Sequence, residues 1–130
     1  MTRVAVLAYI QERAAKPFAW GTADCVQFAG GMIERVTGTR PPLPSYESEI
    51  EAGRLLAELG GLEAAVSSVL GPVQSDLRLC RDGDIVLTFL QGKFGLGIAT
   101  PRWFWVLGLR GGVLPFHINH AKGYWPCRDS

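Results

Sequence analysis

The chain has 130 residues and a mass of 14.1 kDa, with 48% hydrophobic residues and 13 Lys plus Arg against 12 Asp plus Glu, a formal charge of +1. That length fits one domain over residues 1–130, and the apolar fraction can offset the entropy lost on folding. No stretch concentrates basic residues, so nothing suits a phosphate backbone and nucleic acid is not an expected partner.

The apolar stretch within Met1 to Ile10, with Arg3 before it, is too short for a membrane span and passes straight into Gln11, Glu12 and Arg13, so neither a span nor a signal peptide is expected. Val4, Leu7, Ala8 and Gln11 recur at helical spacing, which predicts a helix over Thr2 to Ala15 ending before Pro17. Asp24 suits an N-cap for a second helix carrying Val26, Ala29, Ile33 and Val36 and stopping at Gly38. Gly30 and Gly31 inside it are best explained by another backbone or aromatic side chain in close approach, so this helix should be buried. Thr39 to Ser45, with its prolines, reads as a loop. Ser48 and Glu51 match a capping box before the stripe Ala52, Leu55, Leu56, Leu59, and Leu62 to Val69 mark a shorter helix ending at Gly71.

From Asp84 the pattern changes. Ile85 to Leu90 reads as a buried strand after the Asp82-Gly83 turn, with further strands at Phe94 to Thr100, Arg102 to Leu107 and Gly112 to Phe116, and an edge strand within Lys122 to Cys127. Helices first and an antiparallel sheet second predict an α+β fold.

Trp20-Gly21-Thr22-Ala23-Asp24-Cys25 sets a thiol in the first turn of a helix, where unpaired amides and the dipole favour a thiolate, the nucleophile of acyl transfer; Asp24 opposes this with negative charge. A free cysteine is also commonly a small buried hydrophobe. Cys25, Cys80 and Cys127 are odd in number and widely spaced, which fits free thiols in a reducing compartment. Cys80, Cys127, His117 and His120 offer metal-ligating atoms, but no close Cys pair accompanies them, and no metal or cofactor is expected. His117 and His120 lie three apart, so no more than one could reach the Cys25 thiol from a regular strand. Trp103, Phe104 and Trp105 suit core, a protein interface, or a carbohydrate or peptide platform.

Trp20-Gly21 with Asp24-Cys25 on a helix, then Asp82-Gly83-Asp84-Ile85-Val86, then Gly95-Leu96-Gly97-Ile98 on the next strand, resembles the succession in NlpC-type papain-like cysteine peptidases. The resemblance implies a papain-like fold of N-terminal helices packed on a C-terminal antiparallel sheet, with Cys25 at the nucleophile position. Where that family begins a strand with its base histidine this chain has Gly95, and the next strand offers Trp103 to Val106 where a third polar residue would stand.

With Gly123-Tyr124-Trp125 near the end, the whole layout also resembles short NlpC-like domains encoded among tail genes of long-tailed bacteriophages and gene transfer agents. This implies a virion structural protein, a pseudoenzyme made and assembled in the bacterial cytoplasm. It would be held in the tail tip or baseplate hub among other hub proteins, within a symmetric multi-protein assembly. The rival expectation is an active cysteine peptidase or amidase that cleaves peptidoglycan stem peptides during infection, with Cys25 as nucleophile and His117 or His120 as base.

Overall fold

The structure, a computed structural model, describes residues 2–42 and 45–128. Leu43 and Pro44 of the expected Thr39 to Ser45 loop, and Met1, lie outside the described residues.

Helix α1 (Arg3–Ala14) starts where the Thr2 hydroxyl accepts the Ala5 N–H at 3.2 Å. Its buried face differs from the expected one: Val4 is 78% exposed, whereas Val6, Tyr9 and Ile10 are buried. The aromatic residue decides the rotation. Tyr9 stacks on Phe28, donates its hydroxyl to the Phe28 carbonyl at 2.6 Å, and so satisfies its polar tip while the ring fills the core.

Helix α2 (Cys25–Thr37) begins at the Asp24 cap and ends on Gly38 in the left-handed region at φ 83°. Phe28, Ala29, Met32, Ile33 and Val36 are buried along it, as are Gly30 and Gly31. A side chain at Gly31 would overlap the Tyr9 hydroxyl, which is the aromatic approach the paired glycines suggested.

Helices α3 (Glu49–Glu58) and α4 (Leu62–Leu70) follow. Ser48 Oγ accepts the Glu51 N–H at 3.1 Å, but the Glu51 carboxylate accepts the Glu47 N–H, one residue before the reciprocal partner of a capping box. Of the expected α3 stripe only Ala52 is buried, and Leu59 is 43% exposed. The leucines fall short of full burial because α2, α3 and α4 meet around an apolar cleft lined by Ile33, Leu56, Leu62 and Val66.

The strands β1 (Ile85–Leu90), β2 (Lys93–Thr100), β3 (Trp103–Leu107), β4 (Val113–His117) and β5 (Gly123–Trp125) form one antiparallel sheet in the order β4-β3-β2-β1-β5. The fold is therefore α+β. Ile85 to Thr88 are buried without alternation because both faces of the sheet are covered. Ile85, Leu87, Leu96, Ile98 and Trp125 meet α1 and α2 on one face. Val86, Ala99, Phe104 and Tyr124 lie on the other, closed by Leu77, Cys80, Phe116 and Ile118.

The final strand pairs with β1, and Gln74 covers its outer side through two main-chain bonds with Tyr124 at 2.7 and 3.0 Å. Asp84, fully buried, ties this end of the molecule together. One carboxylate oxygen accepts the Cys127 N–H at 2.9 Å; the other accepts the Arg81 N–H at 2.8 Å and Arg128 Nη2 at 2.9 Å. No described helix is long and apolar enough to cross a membrane.

Candidate functional site around Cys25

The turn before α2 is built around a carboxylate. Asp24, 1% exposed, accepts the Gln27 N–H at 2.9 Å as the helix cap, the Gly21 N–H at 2.7 Å and the Tyr46 hydroxyl at 2.7 Å. Three donors on one buried carboxylate fix the Trp20-Gly21 turn, the start of α2 and the loop carrying Tyr46 in one geometry. Burial, and then the bond to Asp24, push the Tyr46 phenol up from its ordinary range.

Cys25, partly buried, opens α2 and faces β2. Burial pushes its thiol up to about 11 and the neighbouring Asp24 charge adds to this, against the Leu96 N–H and the N-terminal amides of Cys25 and Val26, which favour the thiolate. The helix start thus acts as the sequence suggests, but desolvation outweighs it. At neutral pH the thiol is therefore held in its protonated form.

Leu96 is free to face the sulfur because the sheet forks beside it. Pairing between β2 and β3 covers Ile98–Trp105, Ala99–Phe104 and Thr100–Trp103 and goes no further. A Cβ at Gly97 would stand 2.9 Å from the Trp105 carbonyl oxygen and 3.1 Å from both the Phe104 ring and Val106, so β3 departs across a bare glycine. The fork opens a groove of about 260 Å³ whose walls include Cys25, Trp20, Thr88, Phe94 and Gly95.

Gly95 thus shares the groove of the thiol, and the two histidines do not. His117 pairs with Trp103, which pairs with Thr100, at the opposite end of β2 from Gly95 and two strands away. The strand spacing makes that separation about 17 Å along β2 alone. His117 Nδ1 accepts the Asn119 N–H at 3.2 Å and its ring meets Trp103 edge-on at 5.7 Å, so it caps the short helical turn Ile118–His120. His120 ends that turn.

Cys80 and Cys127 belong to opposite faces of the sheet. Among the described residues no group of three or more His, Cys, Asp or Glu side chains is placed to hold a metal ion. Sequence reasoning passed over Thr88, although it is the one polar residue in the apolar run Ile85–Leu90 and that oddity was the available signal. It also passed over Tyr46.

A family model described as "Domain of unknown function (DUF6950)" matches residues 2–127. The chain belongs to that family. No curated protein matches it.

The Cys25 environment of this DUF6950 domain sets a pH dependence. The folded-state value of about 11 lies above the ordinary thiol value of 9.0, so the fold prefers the neutral form. The stabilisation is complete below pH 9.0 and is lost as pH rises toward about 11. Cys80, pushed to about 12 by burial and then by Asp84, acts in the same direction. In a Cys80→Ser background, iodoacetamide labelling of Cys25 should be slow at neutral pH and climb with a midpoint near 11, while the urea midpoint falls over the same window. Fast labelling with a midpoint below 9.0 would refute the desolvated thiol.

Proposed function

We propose that this chain is a structural component of a bacteriophage tail tip or baseplate hub, built on a papain-like, NlpC-type peptidase scaffold that no longer performs hydrolysis. The observation that carries the reading is the composition of the thiol's groove. Cys25 stands at the start of a helix packed on the sheet, yet the neighbouring strand contributes Gly95, which has no proton-accepting group. General-base assistance is worth about 10²–10⁴-fold in rate, and a thiol held near 11 needs it more than an ordinary one. His117 is engaged at the far end of the sheet, and His120 ends the exposed turn that follows it.

The tail assignment is supported by the succession Trp20-Gly21, Asp24-Cys25, Gly83-Asp84-Ile85-Val86, Leu96-Gly97-Ile98 and Trp125, which resembles the short domains of tail gene clusters. Other hub proteins are the partners that such a role requires.

Purified protein incubated with muropeptides is expected to release no product above the level of Cys25→Ala. Cleavage that disappears in Cys25→Ala would overturn the noncatalytic reading. Immunogold labelling of purified tailed particles is expected to mark the tail tip, and particles that lack the chain would overturn the tail assignment.

A further inference from the structure

The groove at Cys25 does not end at the fork. A second recess, reaching Arg110, Leu114 and Phe116, shares Leu90, Val106, Leu107 and Leu109 with it, so one trough runs from Trp20 along the tips of the two hairpins. Its large apolar side chains are open to solvent: Phe94 is 60% exposed, Leu109 74% and Leu114 52%. Three such residues on one surface form a patch of the kind that marks a binding site.

Charge and hydrogen bonding narrow the occupant. The charged residues lining the trough are Lys93 and Arg110, both cationic, and no carboxylate lines it. Lys93 pairs with Glu49 at 3.1 Å outside the trough, and Arg110 has no ion pair among the described residues. By the alternation of the β1–β2 and β3–β4 ladders, the main-chain groups of Phe94 and Leu107 point into the fork and away from β1 and β4, beyond the last ladder pair of β2 and β3. Thr88 is 2% exposed, and its hydroxyl has no hydrogen-bond partner among the described residues. That oxygen would lie 3.1 Å from a Cβ at Gly95, so it covers the bare face that Gly95 presents in the groove.

We infer that this trough receives an extended segment of a partner protein that carries large apolar side chains and at least one carboxylate. The inference deepens the structural role proposed above and rests on it. The apolar side chains fill the wall between Phe94 and Leu114, the carboxylate meets Arg110, and the segment's own amides and carbonyls meet those of Phe94 and Leu107. An anionic lipid surface would satisfy the cations and the apolar wall but leave the main-chain groups of the fork unmet.

The test uses two short fluorescein-labelled peptides, one with the core Asp-Phe-Val-Leu-Asp and one with Lys replacing both Asp, titrated by anisotropy against the full chain and its variants. The acidic peptide should bind saturably. Arg110→Glu should weaken it roughly fivefold to tenfold and improve the Lys peptide, and Leu109→Ser should weaken both. Thr88→Val, checked for folding by circular dichroism, should weaken the acidic peptide without altering its preference over the Lys peptide.

Four results would each overturn the inference: no saturation by about 1 mM; equal binding of the two peptides; binding to phosphatidylglycerol vesicles but to neither peptide; or self-association abolished by Leu109→Ser. Anisotropy is read without any hydrolysis, so Cys25-dependent cleavage of muropeptides would defeat the noncatalytic reading while leaving the binding result standing by itself.

Discussion

Asp84→Ala should cost about 3–5 kcal/mol of folding stability, a large share of the 5–15 kcal/mol typical of a domain. The carboxylate is fully buried and accepts from the Cys127 and Arg81 amides and from Arg128 Nη2. Alanine takes this acceptor from the buried Cys127 N–H, worth roughly 1–3 kcal/mol, and from the Arg81 N–H at an exposed residue, and it removes the counter-charge of the partly exposed Arg128. Asp84→Asn keeps one acceptor oxygen and should fall between the wild type and alanine. Urea denaturation followed by far-UV circular dichroism reads both. A loss below about 1 kcal/mol for Asp84→Ala would show that the clamp contributes little. The consequence reaches function, because the Asp82-Gly83-Asp84 turn supplies part of the peptidase resemblance. In this chain its second aspartate joins the first sheet strand to the segment after the last one, so the motif is explained by architecture and needs no catalytic role.

The α+β layout was legible because its signals are local. Asp24 before an apolar stripe, Gly38 in the left-handed region after it, and the unbroken run Ile85–Leu90 each announce an element without tertiary information. The orientation of α1 was not legible. Counting aliphatic side chains favours Val4 and Leu7, whereas the buried face follows Tyr9, whose placement depends on a glycine in another helix. The site divides in the same way. Cys25 at a helix start could be read directly from Trp20-Gly21 and Asp24. Its protonation state could not, since burial against β2 is a property of the packed sheet and outweighs the dipole visible in the sequence. Nor could the distance of His117 and His120 from the sulfur, which is set by two strand registers and a fork at Gly97.

Gly31→Ala and Gly30→Ala, adjacent and of equal intrinsic propensity, should change stability in opposite directions. In an unobstructed helix interior either replacement gains about 1 kcal/mol. At Gly30 a methyl group finds Arg40 Nη2 no closer than 3.7 Å, ordinary contact, so that gain should appear. At Gly31 the methyl group would overlap the Tyr9 hydroxyl and lie 3.1 Å from its Cζ and 3.3 Å from Arg13 Nη2. The ring is held by its bond to the Phe28 carbonyl and by the Arg13 and Arg35 guanidiniums at 5.3 and 5.1 Å from its centre, so it cannot yield cheaply. Overpacking of this kind costs about 1–3 kcal/mol and exceeds the propensity gain. Tyr9→Phe alone should lose about 1 kcal/mol with the hydrogen bond, but it removes the atom in the way. The double variant should therefore be more stable than the sum of the single changes by at least about 1 kcal/mol. Additive losses in that cycle, or a stabilising Gly31→Ala, would mean that Tyr9 does not set the packing of α1 on the helix that carries Cys25.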